Sequence, residues 1–118
     1  RCSCALLIEE EGHRSHLVFD DLGCLLDYRT DHPESVVVAA FVHDYGTGEW
    51  VAGADAHYIF GVSDTVITPM ASGIIAFATV DGAGQRQATS GGEVTDYDRL
   101  NKLRSAWRDA RRQPAGTP

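Results

Sequence analysis

The apolar residues of this chain fall into short blocks separated by charged or glycine-containing breaks, a pattern that predicts short strands alternating with short helices. Residues 5–8 and 15–19 are strand-like runs joined by a polar connector over 9–14, with Gly12 at its turn. Asp20-Asp21 then caps a helix whose Leu22, Leu25 and Leu26 follow i, i+3, i+4 spacing. The carboxylates sit at the positive end of its dipole. Asp31-His32-Pro33 ends it, because the residue before proline avoids helical geometry. Residues 36–42 are β-branched and almost continuously apolar, which predicts a central strand buried on both faces. Residues 44–48 hold two glycines and return as a hairpin into 49–51.

The second half repeats this plan. Residues 56–60 are strand-like, 63–69 form a loop, and 73–79 are again apolar. Residues 81–90 read as a weak helix or a loop, stopped by Gly91-Gly92, with a short strand over 93–95. Thr95-x-x-Asp98 resembles a capping box and opens a last helix with Leu100, Leu103, Trp107 and Ala110 along one face. The expected fold is therefore α+β: a single compact domain over 1–112 built from two similar small ββαβ-type units, roughly 4–52 and 54–98. A C-terminal amphipathic helix over 97–112 follows, and 113–118 is expected to be a disordered tail.

Composition narrows the function classes. At 118 residues and 43% hydrophobic, the chain can build one core without a disulfide framework, and three cysteines do not make one. No apolar run approaches the ~20 residues of a membrane span. Seventeen acidic against ten basic residues give a net charge of -7, which excludes an ordinary nucleic-acid binder. The charge is uneven: 4 bases and 16 acids through Asp98 (net -12), then 6 bases and 1 acid (net +5), which sum to -7. The basic end reads as a solvated helix face or as a surface that approaches anionic membrane or protein. The chain opens at Arg1 without an initiator Met, which suggests a processed or trimmed form, with any signal peptide or lipid anchor upstream.

Candidate chemistry centres on sulfur. Cys2-Ser3-Cys4 places two thiols at i, i+2, on one face if the segment is extended or able to chelate one ion if it is a loop. Soft thiolate and thioether ligands select Cu(I) over harder cations. Unpaired, oxidised or lipid-modified thiols are the alternative. Cys24 lies near a helix start, where the dipole lowers a thiol pKa, but its apolar neighbours fit a buried structural cysteine as well. Met70, the single methionine, sits in a loop behind Pro69 rather than in a periodic apolar run, which makes it a candidate thioether ligand. Among the five histidines, His57 and His16 lie in strand-like runs and could supply an imidazole, whereas His43 and His32 border turns and are expected in solvent. No zinc spacing, nucleophile elbow or phosphate loop is present, so the chain is not expected to be an enzyme.

Four segments in order resemble the NosL family of copper-binding accessory proteins. They are Cys4-Ala-Leu-Leu-Ile8, Phe19-Asp-Asp-Leu-Gly-Cys-Leu-Leu26, Val42-His-Asp-Tyr-Gly-Thr-Gly-Glu-Trp50, and Ala56-His-Tyr-Ile59 followed by Thr68-Pro-Met-Ala-Ser-Gly-Ile74. Gly91-Gly92-Glu93-Val94 before the final helix also fits. The resemblance implies an extracytoplasmic, lipid-anchored or periplasmic domain. It would bind one Cu(I) and pass it to a protein partner, as in nitrous oxide reductase maturation, with no nucleic acid involved and membrane reached only through an upstream anchor. It places ligands at Cys4 and Met70. Leu6 and Leu25 stand where the family pattern carries methionine, and leucine donates no sulfur. Cys2, Cys24, His57 or His16 would then complete the site. The alternative is a metal-free or weakly metal-binding interaction domain of the same fold.

Overall fold

The structure, a computed structural model, describes residues 2–63, 66, 68 and 71–112, the last by its backbone alone. The elements follow in the order β1 (Cys4–Glu10), β2 (His13–Phe19), α1 (Leu22–Asp31), β3 (Val36–His43), β4 (Trp50–Ala52), β5 (His57–Phe60), β6 (Ile74–Phe77), α2 (Val80–Ser90), β7 (Glu93–Thr95) and α3 (Tyr97–Arg112). They make a four-stranded sheet in the order β2-β1-β3-β4 and a three-stranded sheet in the order β6-β5-β7, every pairing antiparallel. The two ββαβ segments share one connectivity: the first strand lies between the second strand and the strand that follows the helix. The sheets join where Asp44 bridges Ala76 and the Tyr45 N–H donates to the Ala76 carbonyl at 2.8 Å.

The polar connector over 9–14 is mostly strand. β1 and β2 run to Glu10 and from His13, leaving Glu11 and Gly12 as a tight turn with φ of 50° and 80°. Charged residues at a solvated hairpin end mimic a loop in sequence, but here Glu9 faces Arg14 across the ladder at 3.3 Å. α1 starts where its cap predicts, with the Asp21 carboxylate accepting the Gly23 N–H at 2.7 Å. Residues 81–90 form a true helix because Thr79 caps it through the Gly82 N–H at 3.0 Å.

β3 is not buried on both faces. Val42 is fully buried, but Val36 and Val38 are 56% and 41% exposed, and a register shift against Leu7 and Ile8 leaves Val38 as the extra residue. An unbroken apolar run carries no alternation, so it cannot report that only one face is covered. The strand that fills the core is β1, with Cys4, Leu6 and Ile8 packed against Leu22, Leu25, Leu26, Tyr58, Ile74 and Leu100. A second cluster of Ile59, Val66, Ile75, Phe77 and Ala83 lies on the other side of the small sheet.

α3 also departs from its sequence pattern. Its cap is Asp96, whose carboxylate accepts the Arg99 N–H at 2.8 Å, and not Thr95, whose buried hydroxyl has no partner among the described residues. Leu100 and Arg104 face inward, Leu103 is half-buried, and Trp107 and Ala110 are exposed. The reason is α1: Arg104 grips Asp27 with two hydrogen bonds of 2.9 and 3.0 Å, and Arg108 reaches Asp31 at 3.1 Å. Trp107 lies between the Arg104 and Arg111 guanidinium groups. Arg99 pairs with Glu93, so much of the basic end is neutralised within the fold rather than offered as one cationic face. Residues 113–118 lie outside the described residues.

Candidate metal centre

Three pieces of chain meet at one end of the large sheet. The first is the start of β1. Cys4 is its first residue, wholly buried, with its Sγ 3.8 Å from the Phe19 carbonyl as a weak donor. Burial pushes the Cys4 thiol up to about 12, and the Asp21 carboxylate and the Cys24 and Cys2 thiols add to the shift. Cys2 precedes the strand and is half-buried, packed against the second cluster. Burial raises its pKa as well.

The second piece is the first turn of α1. Cys24 is half-buried there, and its pKa is raised by burial first and then by Asp21 and Asp27, against the opposing Arg104. Of the two sequence readings of Cys24, a thiol lowered by the helix dipole and a buried structural cysteine, the raised value agrees with the second. The third piece follows Met70. A Cβ added to Gly23 would lie 2.6 Å from Ser72 Cβ, so only glycine lets α1 approach this segment. Thr68 is buried. Its carbonyl accepts the Ala71 N–H at 3.0 Å and its hydroxyl the Gly73 N–H at 3.1 Å. Ala71 takes a φ of 56°, uncommon for a residue with a Cβ. Met70 itself lies outside the described residues, as does Pro69.

The histidines divide differently from expectation. His57 opens β5 at the end away from the 61–73 connection, and His16 is exposed on the outer face of the large sheet, 6.4 Å from Phe41. Neither joins the cysteines in a donor group. His43 is not solvated. Its Nδ1 lies 2.7 Å from the Ser3 carbonyl and 3.1 Å from the Ser3 hydroxyl, and its ring stacks on Trp50 at 3.7 Å. Sequence reasoning missed this contact, although the hairpin register that places His43 opposite Trp50 was available in the turn at 44–48. His32 does lie near the surface, stacked on Tyr28 and 3.4 Å from Glu34.

No group of three His, Cys, Asp or Glu side chains able to hold a metal occurs among the described residues. Leu6 and Leu25, where thioethers would complete a sulfur site, are both fully buried core residues. The soft donors among the described residues are few: the thiols of Cys2, Cys4 and Cys24, of which Cys4 feels the charge of the other two, while Gly23 beside Cys24 abuts Ser72. Such a set suits a soft, low-coordinate monovalent ion and is unsuited to a hard cation or a closed tetrahedral site.

The comparisons agree with this architecture. The crystal structure of the copper chaperone NosL from Shewanella denitrificans superposes with a TM-score of 0.68 at 17% identity, covering 80% of this chain and 76% of that one. The solution structure of apo-NosL from Achromobacter cycloclastes gives 0.55 at 24% identity, covering 79% and 82%. No curated protein sequence matches the chain. The NosL family model matches residues 5–103, nearly the whole described fold, and the chain belongs to the NosL family.

Proposed function

We propose that this protein is an extracytoplasmic copper-binding accessory protein. It holds Cu(I) on soft sulfur donors and passes it to a protein partner, in nitrous oxide reductase maturation or a related delivery, with no catalysis of its own. The observation that carries this reading is the meeting of Cys4, Cys24 and the segment flanking Met70 at one end of a NosL fold. Electrostatics favour one thiolate with neutral sulfur partners. A Cu(I) ion that displaces the Cys4 proton leaves the local charge unchanged, whereas each further thiolate adds negative charge beside Asp21 and the other thiols. Cys4 with Met70 therefore forms the centre, with Cys2 the first candidate to supply the sulfur that Leu6 cannot. An open site of two or three donors also lets a recipient's ligand attack the metal, so that transfer proceeds by ligand exchange.

The test is anaerobic Cu(I) titration against a competing chelator on wild type, Cys4→Ser and Met70→Ala. Each substitution should weaken binding by at least roughly tenfold, the usual size of a lost contribution to a metal site. Equal, weak binding in all three would reject the carrier and leave the metal-free interaction domain. Ligation also competes with protonation of Cys4, whose burial keeps the thiol protonated across the neutral range. Affinity should accordingly rise about tenfold per pH unit across the neutral range, because binding one ion releases one proton. A flat profile would place the metal elsewhere. Extracytoplasmic action is checked by fractionating cells that express the full-length protein.

A further inference from the structure

The residue between the two N-terminal cysteines is held from outside the site. Ser3 lies opposite His43 at the end of β3, one position beyond the Cys4–Val42 pair. The Ser3 carbonyl can only accept, so the 2.7 Å contact requires the proton on His43 Nδ1, and the Ser3 hydroxyl lies 3.1 Å from the same nitrogen. Trp50, directly across from His43 on β4, backs the ring at 3.7 Å. That indole is 57% exposed, so its place over the imidazole is not dictated by core burial. Cys2 lies two residues before β1, which begins at Cys4. The Ser3–His43 contact thus holds the residue between Cys4 at the strand start and Cys2, which packs against the second cluster.

We propose that His43, braced by Trp50, is a positioning residue for the copper site: it clamps Ser3 and so sets Cys2 relative to Cys4. This rests on the copper reading above. A donor on an untethered terminus would have to be ordered each time the metal bound, and the clamp removes that entropic cost in advance. The imidazole does not touch the ion in this role. It acts through the backbone between two ligands, as hydrogen-bonded partners beyond the ligands do in other metal sites.

The experiment uses the whole chain and two readouts. His43→Ala should lower Cu(I) affinity about tenfold, the lower end of what such partners contribute. In metal-free protein it should also raise several-fold the rate at which iodoacetamide alkylates Cys2, followed by peptide mass spectrometry. His43→Asn, whose side-chain N–H lies where Nδ1 did, should restore both. In a Cys2→Ser background, His43→Ala should leave Cu(I) affinity unchanged, a cancellation that general destabilisation does not produce. Wild-type affinity and alkylation in His43→Ala would overturn the clamp, as would an equal loss of affinity with and without Cys2. Copper binding that survives Cys4→Ser and Cys2→Ser intact overturns the copper reading instead, and the alkylation rate of metal-free His43→Ala still decides whether Ser3 is clamped.

Discussion

The two ββαβ units share a connectivity and use it in opposite ways. In the first, strands of seven or eight residues cover the core with one face and leave the other to solvent, where Val18, Val38 and Trp50 are exposed. In the second, the four-residue strands β5 and β6 are covered on both sides, while three-residue β7 leaves Glu93 exposed. Ile74 and Ala76 of β6 feed the core between the sheets, while Ile75 and Phe77 feed the cluster beneath α2. Length alone does not set this cover, since three-residue β4 of the first unit leaves Trp50 and Ala52 exposed; what differs is that α2, through Ala83, closes over the second face of β5 and β6. In the proposed copper site the division carries over: the thiols come from the first unit, and the Thr-Pro-Met segment lies in the sequence between β5 and β6 of the second.

Adjacent isoleucines on β6 test the difference most directly. Ile74→Ala and Ile75→Ala remove the same atoms from opposite faces of one strand, and each should cost about 2–5 kcal/mol. Ile74, in the larger cluster between the sheets, belongs at the upper end. Ile75, under the short helix α2, belongs at the lower end because that side can collapse around the loss. Urea denaturation that ranked them the other way would mean the small cluster is the stiffer one.

The join between the units comes next in size. Asp44 is a buried carboxylate that accepts from Gly46, Thr47 and, across the join, Ala78 at 2.7 Å. Burial acts to raise its pKa, but the backbone donors of Ala78, Thr47 and Gly46 outweigh it and hold the group below the ordinary value. Asp44→Asn should cost about 1.5–3 kcal/mol, the range for hydrogen bonds to a charged group. The sign with pH follows from the depressed pKa. The contribution is present above the unfolded carboxylate value of about 4 and is lost as pH falls through the lower folded value. Wild type and Asp44→Asn should therefore converge in stability below about pH 4, and a gap that persisted in acid would sink the assignment.

α3 offers a comparison within one helix. Arg104 is buried against Asp27 in a two-pronged pair, while Arg99 and Glu93 meet at the surface. Arg104→Met should cost about 1–2 kcal/mol, since it takes the two-pronged partner from a half-buried carboxylate and leaves it only the longer contact to Arg108 at 3.6 Å. Arg99→Met should fall within the error of the same denaturation measurement. If the two were equal, the α1–α3 interface would draw its stability from Leu100 and the Arg108–Asp31 and Arg29–Tyr97 contacts instead.

How far these features could be read in the sequence depended on the distance between partners. Local signals worked: the Asp21 cap, the glycine turn at Gly12, the hairpin at 44–48 and the repeated strand plan all express interactions within a few residues. The inward face of α3 was illegible because Arg104 and Arg108 are polar in any pattern and become buried only when Asp27 and Asp31, 77 residues away, neutralise them. The open face of β3 was illegible because its run of valines is the same whether one face or two is covered. At the candidate site, the sulfur residues were legible as types and the NosL resemblance gave their order. The approach of Gly23 to Ser72 and the hold of His43 on Ser3 depend on the packed sheets, and no local pattern encodes them.

The smallest change in stability sharpens the functional side of the comparison. Leu6 and Cys4 lie two positions apart on β1 with both side chains in the core between the sheets. That spacing puts them on one face, close enough for a flexible thioether at position 6 to reach the Cys4 sulfur. Leu6→Met conserves volume and should cost under about 1.5 kcal/mol. Yet it supplies within the first unit the donor that the chain otherwise seeks from Cys2. Cu(I) affinity should rise, and it should then become insensitive to Cys2→Ser while remaining dependent on Cys4. If Leu6→Met binds no better than wild type, the inner face of β1 does not look onto the metal, and the site lies on the Cys2 side of the strand start.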